Sequence, residues 1–205
     1  HTHSDHVGGN HQFETIYGLD TAFTARNAAG RPPAELAEFV SPGWVWKSFP
    51  AGFDRAKYSS RPFAISRVVQ DGDLIDIGGR VFEVLQTPGH TPDALCLIDR
   101  ENRLLFTGDT FYLAPLYAHF AESDVQQFAD SARRLATLAT EVDTLLMAHN
   151  VPVAGSAYLR SLNVAFAKLY NDDDVFILTD GNREYDFGDF SIIVPDNFRK
   201  QKTVE

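Results

Sequence analysis

His1, His3, Asp5 and His6 stand within six residues, in "HTHSDH", and no hydrophobic core would be built from them. Imidazole nitrogen and carboxylate oxygen together suit zinc or another borderline divalent metal. The Gly8-Gly9 pair that follows lets the backbone turn tightly. Three more ligand-type residues recur later: His90 in "QTPGHTPDAL", Asp109 in "LLFTGDTFY" and His149 in "LLMAHNVP". Each directly follows a run that reads as a strand, and strand ends let a rigid sheet present ligands on its loops. Five of the seven histidines therefore sit where metal chemistry would use them. His11 and His119 fit no such position; both read as ordinary surface or pocket-rim residues, and His119 is the one that could touch substrate.

The elements that must position these residues are legible from periodicity. "HQFETIYGL" places Phe13, Ile16 and Tyr17 at the spacing of a short helix. Residues from about 21 to 61 mix Pro, Gly and aromatics, with one brief helical piece near "PAELAEFV", and read as an insertion over the body of the domain. Strand-like runs follow: "FAISRVV", "DLIDI", "RVFEVLQT", "ALCLIDR" and "RLLFTGD", separated by turn-forming pieces. Val125, Phe128, Ala132, Leu135 and Leu138 then form a helical stripe, with Ser123 or Asp124 placed to cap it. "TLLMAH" predicts a buried strand and "SAYLRSLNVAFAKLY" a second amphipathic helix. "VFILTD" and the hairpin-like "REYDFGDFSIIV" close the pattern, and "NDDDVF" reads as a solvated helix end. Strands followed by helices in mixed order indicate an α/β sandwich.

The 205 residues suit one domain, 1–205, with the aromatic insertion inside it. A net charge of -10 speaks against nucleic acid or an anionic membrane as partner and leaves a small molecule as the expected one. The one cysteine, Cys96, cannot form an internal disulfide and reads as a small apolar strand residue. No stretch approaches the roughly 20 apolar residues of a membrane span. A cytoplasmic location is the expectation, although the chain starts on His1 and reads as having lost an N-terminal portion.

In order, HxHxDH, the "TPGHT" histidine, the "TGD" aspartate and a late histidine resemble the metallo-β-lactamase superfamily, from His1 to about His149. The resemblance implies an αββα sandwich whose N-terminal half-sheet is missing from this sequence, which would leave one hydrophobic face uncovered. It also implies a two-metal site, most simply Zn2+, with Fe or Mn as the other candidates. His1, His3 and His90 would bind one ion, Asp5, His6 and His149 the other, and Asp109 would bridge them. Asp5 counts as catalytic as well as ligating. A hydroxide held between the ions would be the nucleophile.

Within the superfamily, His3 excludes the iron-type electron-transfer pattern, which carries Glu there. The acidic balance speaks against RNA processing. "AHNVP" stands where glyoxalase II enzymes usually carry "GHEY". Asp109 points away from true β-lactamases and toward the hydroxyacylglutathione hydrolase and lactonase branch. Tyr112, three residues on, either matches a tyrosine that donates to the substrate carbonyl or leaving oxygen in lactone-hydrolysing members, whose spacing it shares, or is aromatic filling beside the site. The reading is a dinuclear hydrolase of a lactone or carboxylic ester. The alternatives are a thioester hydrolase and, after it, a phosphodiesterase, a β-lactamase or a non-catalytic member. Trp44 and Trp46, with Phe49, Phe53 and Tyr58, form either an apolar substrate wall or the contact of a homodimer.

Overall fold

A computed structural model describes residues 1–45, 47–170 and 175–198. The chain divides into two units, one of Thr2–Val69 and one of His1 with Gln70–Glu205. In the unit of Thr2–Val69, α1 (Ser4–Val7) is a single turn in which the carbonyl of His3 accepts from the backbone N–H groups of His6 and Val7. The helix expected from Phe13, Ile16 and Tyr17 does not form. Phe13 is 67% exposed, so the apolar spacing has nothing to bury against. Tyr17 instead enters a two-residue strand, β1 (Tyr17–Gly18).

A helix that the periodicity did not reveal, α2 (Ala22–Ala28), follows at once. The Thr21 hydroxyl caps it by accepting from the Thr24 N–H, and the helix buries Phe23 and Asn27. The brief piece in "PAELAEFV" forms as α3 (Pro33–Leu36), with proline in the first turn and Leu36 buried. Of "FAISRVV" only β2 (Arg67–Val68) is strand, paired in parallel with β1. The aromatic segment contains a stacked pair, Phe49 on Phe53, with Tyr58 beside Phe53. Trp44 is 60% exposed and meets the edge of Phe39. Trp46 lies outside the described residues, as do residues 171–174 of the expected helix end.

The other unit carries the expected sheet-and-helix order. Its strands are β3 (Leu74–Asp76), β4 (Val81–Gln86), β5 (Leu95–Asp99), β6 (Leu104–Gly108), β7 (Pro115–Tyr117), β8 (Thr144–Met147), β9 (Val153–Gly155), β10 (Ile177–Thr179), β11 (Asn182–Asp186) and β12 (Ser191–Pro195). The helices are α4 (Val125–Thr137) and α5 (Ala157–Lys168). One sheet runs β3-β4-β5-β6-β8-β9 and the other β10-β11-β12-β7. Strands β7 and β9, three residues each, were not anticipated. A strand as short as Pro-Leu-Tyr exists because it pairs in parallel with Ser191–Ile193, far away in sequence.

The core draws on both sheets and both helices. Val84, Ile98, Leu105 and Leu145 are fully buried from the larger sheet, and Leu116, Ile192 and Val194 from the smaller. Phe128 of α4 and Phe166 of α5 place their ring centroids 4.7 Å apart. The capping residue of α4 is Asp124, whose carboxylate accepts from the Gln127 N–H at 2.9 Å. Among the described residues no helix is long and apolar enough to cross a membrane.

Candidate metal centre

Strands β4, β6 and β8 run in one direction, because β4 and β6 are each antiparallel to β5 while β6 and β8 are parallel neighbours. Their carboxyl-terminal ends therefore lie along one edge, and the three predicted ligands follow those ends. The register pairs Gly108 with Met147, which brings Asp109 and His149 side by side. His149 Nε2 lies 3.2 Å from Asp109 Oδ1. His90 Nε2 and His1 Nε2 approach the other carboxylate oxygen, Oδ2, at 3.6 and 3.8 Å. His1 meets His90 edge-on, ring centroids 4.9 Å apart.

The Asp109 turn is built to hold. Gly108 adopts a φ of 49°, in the left-handed region that favours glycine. The Thr110 N–H donates to the Thr107 carbonyl, and the Thr107 hydroxyl donates to the Phe111 carbonyl at 2.7 Å. Beneath it the hydroxyls of Thr87 and Thr110 are hydrogen-bonded at 2.8 Å, tying the loop of His90 to the loop of Asp109. Cys96 touches this pair, and burial pushes its thiol pKa up, so it packs as the small apolar residue expected and does not ionise readily.

The proton of His90 can be placed. Its Nδ1 lies 2.8 Å from the Tyr117 carbonyl, which can only accept, so Nδ1 carries a hydrogen and Nε2 is the nitrogen turned toward Asp109. That nitrogen faces a carboxylate that is 7% exposed. A neutral Nε2 and a carboxylate so placed repel unless a proton or a cation lies between them. Neutral imidazoles aimed at a buried carboxylate are a donor set that fits a divalent cation. Side chains able to hold an ion include His1, His90, Asp109 and His149 in this unit and His3, Asp5 and His6 in the other.

In the Thr2–Val69 unit, His3 and His6 stand one turn apart on either side of Asp5, and His6 Nε2 is 3.4 Å from Asp5 Oδ2. The His3 ring meets Phe23 edge-on at 5.7 Å. Buried Thr2 accepts a hydrogen bond from the Asn27 side chain, which in turn accepts from Arg31, so the motif is anchored to α2.

Tyr112 is buried with its ring edge-on to His149 at 5.1 Å, and its hydroxyl donates to the Pro115 carbonyl at 2.9 Å. His119 is half-buried between Phe120 and Tyr117, with centroids 4.6 and 5.5 Å away. Burial holds its pKa below the ordinary histidine value, partly offset by a hydrogen bond with the Ile193 backbone. His11 is exposed, and its Nδ1 bonds locally with the Gly8 carbonyl. The residues that hold His90 were not found from sequence: the Tyr117 carbonyl, the Ser123 hydroxyl, which donates to the His90 carbonyl at 2.8 Å, and Phe120, edge-on to the His90 ring. A backbone acceptor leaves no trace in side-chain type. Ser123 showed only as a cap candidate, and the cap is its neighbour.

Comparison with known proteins agrees with this geometry. The acyl-coenzyme A thioesterase MBLAC2 of Gallus gallus is 32% identical over 138 residues, 67% of this chain and 49% of that protein. A hydroxyacylglutathione hydrolase of Francisella philomiragia is 33% identical over 107 residues, 51% of this chain and 39% of that protein. The chain thus spans about half or less of the length of these curated relatives. A metallo-beta-lactamase family protein from Thermus thermophilus shares the fold with a TM-score of 0.50 at 20% identity, covering 73% of this chain and 52% of that one. The sequence profile of the metallo-beta-lactamase superfamily matches residues 1–149, from the first histidine of the opening motif through the last ligand-type histidine. The chain belongs to the metallo-beta-lactamase superfamily.

Proposed function

We propose that this chain is a metal-dependent hydrolase that cleaves an acyl compound at its carbonyl, with a thioester as the first substrate class and a lactone or carboxylic ester as the second. The observation that carries the reading is the convergence of three imidazole Nε2 atoms on the one buried carboxylate of Asp109. The thioester preference rests on the relatives, which are named as an acyl-coenzyme A thioesterase and a hydroxyacylglutathione hydrolase. The lactone or ester reading rests on Asp109 followed by Tyr112.

In this proposal His1, His3 and His90 hold one divalent ion, Asp5, His6 and His149 a second, and Asp109 joins the two, with zinc the expected metal. Such ions, when bound, activate water and polarise a carbonyl oxygen. The protein's own part is to hold the imidazoles in the right orientation. The Tyr117 carbonyl does this for His90 by holding the Nδ1 proton. The Tyr112 ring braces His149. Its hydroxyl is proposed as a donor to developing negative charge on the substrate, and to serve there it must turn away from Pro115. Trp44, Trp46 and His119 are proposed to contact the acyl group. A small-molecule substrate, a homodimer and a cytoplasmic location complete the reading.

The test is metal analysis of purified protein followed by a hydrolysis panel of acyl-coenzyme A and glutathione thioesters, lactones, carboxylic esters, phosphodiesters and β-lactams. Metal together with thioester turnover supports the first class. Turnover confined to lactones or esters supports the second, and protein that holds no metal overturns both.

A further inference from the structure

Three successive backbone carbonyls of the His90 loop are held at the start of one helix, by the two residues that lead into α4 and by one residue within it. The Ser131 hydroxyl donates to the Pro88 carbonyl at 2.7 Å, the Asp124 N–H to the Gly89 carbonyl at 2.8 Å, and the Ser123 hydroxyl to the His90 carbonyl at 2.8 Å. Between these bonds the loop lies directly on the helix. Gly89 has a φ of 146°, and a Cβ built on it would stand 2.3 Å from the Phe128 Cα. Asp124, the cap of α4, and Phe128 and Ser131 are at i, i+4 and i+7, so one face of the helix receives Pro88 and Gly89, and Ser123 just before it receives His90. That face is rigid because Phe128 and Ala132 are fully buried in the core.

From this mounting we infer that Ser123 and Ser131 are positioning residues for the metal centre, fixing the His90 imidazole at the distance and direction that an ion requires. The inference rests on the metal-dependent reading above. The Tyr117 carbonyl sets which ring nitrogen of His90 carries a hydrogen. The two serine hydroxyls set where the other nitrogen is. A loop freed at Pro88 and His90 keeps the right ligand but lets it wander, and partners one step removed from a ligand commonly govern metal affinity by ten- to a hundredfold.

The experiment measures, on the full chain, the free zinc concentration that half-loads the protein in chelator-buffered solution, the absorption spectrum of the cobalt(II)-loaded protein, and the melting temperature of the metal-free protein. Variants are Ser123→Ala, Ser131→Ala, both together, and Ser123→Thr, which keeps the hydroxyl. The control is Ser156→Ala, which removes a hydroxyl bond of the same kind, to the Ala139 carbonyl at 3.0 Å, away from the loop. Each single alanine variant should raise the half-loading concentration about tenfold and the pair about a hundredfold, with an altered cobalt spectrum. Ser123→Thr should restore the wild-type value, and Ser156→Ala should lower the melting temperature as much as they do without touching zinc loading. Wild-type loading in the alanine variants, or a loss that Ser156→Ala matches, overturns the inference while leaving the hydrolase reading intact. A wild-type chain that binds no zinc overturns both.

Discussion

His149 Nε2 lies 3.2 Å from Asp109 Oδ1 because the strands that deliver the two residues, β8 and β6, are parallel neighbours ending in register. Parallel pairing is the one arrangement in which the ends of adjacent strands point the same way, so two loops distant in sequence become one edge. Asp109 also faces His1 and His90 through its second oxygen. Asp109→Ala should therefore remove bound metal and hydrolytic activity in the same proportion. Metal analysis beside turnover on the best substrate checks this, and full metal content with lost turnover would count against Asp109 as the joining ligand.

Tyr112→Phe should leave metal content unchanged and lower kcat with little change in KM, since the proposed hydrogen bond strengthens in the transition state. A free donor of this kind is worth roughly 10² to 10³ in kcat. Here the hydroxyl must first leave Pro115, a bond worth about 1 kcal/mol, which brings the expected loss nearer to tenfold to a hundredfold. An unchanged kcat would assign the hydroxyl to the Pro115 turn alone.

Trp44→Ala should alter stability by less than about 0.5 kcal/mol, because the side chain is already 60% exposed. If the segment contacts substrate, KM should rise for long apolar acyl groups and stay level for acetyl. Equal effects on both, with a concentration-dependent change in molecular mass, would favour the homodimer contact.

His119 predicts a direction with pH. Its folded pKa lies below its ordinary value of about 6.5, chiefly from burial. The unfolded chain then binds this proton more readily, so stability is full above about pH 6.5 and falls as the pH drops toward the folded value. In metal-free protein, His119→Phe should lose less melting temperature between pH 7.5 and about 5.5 than wild type does. Parallel curves would remove His119 from this role.

The α/β order could be read from the sequence, and of the seven residues it proposed as ligands His1, His90, Asp109 and His149 are seen together in one unit, because strands buried on a sheet alternate or run apolar and strand ends are marked by Gly, Pro and Asp. Phe13, Ile16 and Tyr17 misled because periodicity reports a face only where something covers it. The helix Ala22–Ala28 hid behind low-contrast residues and is held by the Thr21 cap and the Thr2–Asn27 bond. Strand β7 depends on a partner some seventy-five residues onward and has no local signature. The tautomer of His90 was out of reach for another reason: it is decided by a carbonyl, and every residue has one.

The separation in sequence of the groups around Asp109 bears on how the protein assembles. His1, His90 and His149 meet across spans that only a formed sheet can bridge, so this cluster belongs to the late, non-local part of folding. An ion added during refolding should leave the early rate untouched and slow the reverse reaction, acting as a clasp fastened after the garment is on.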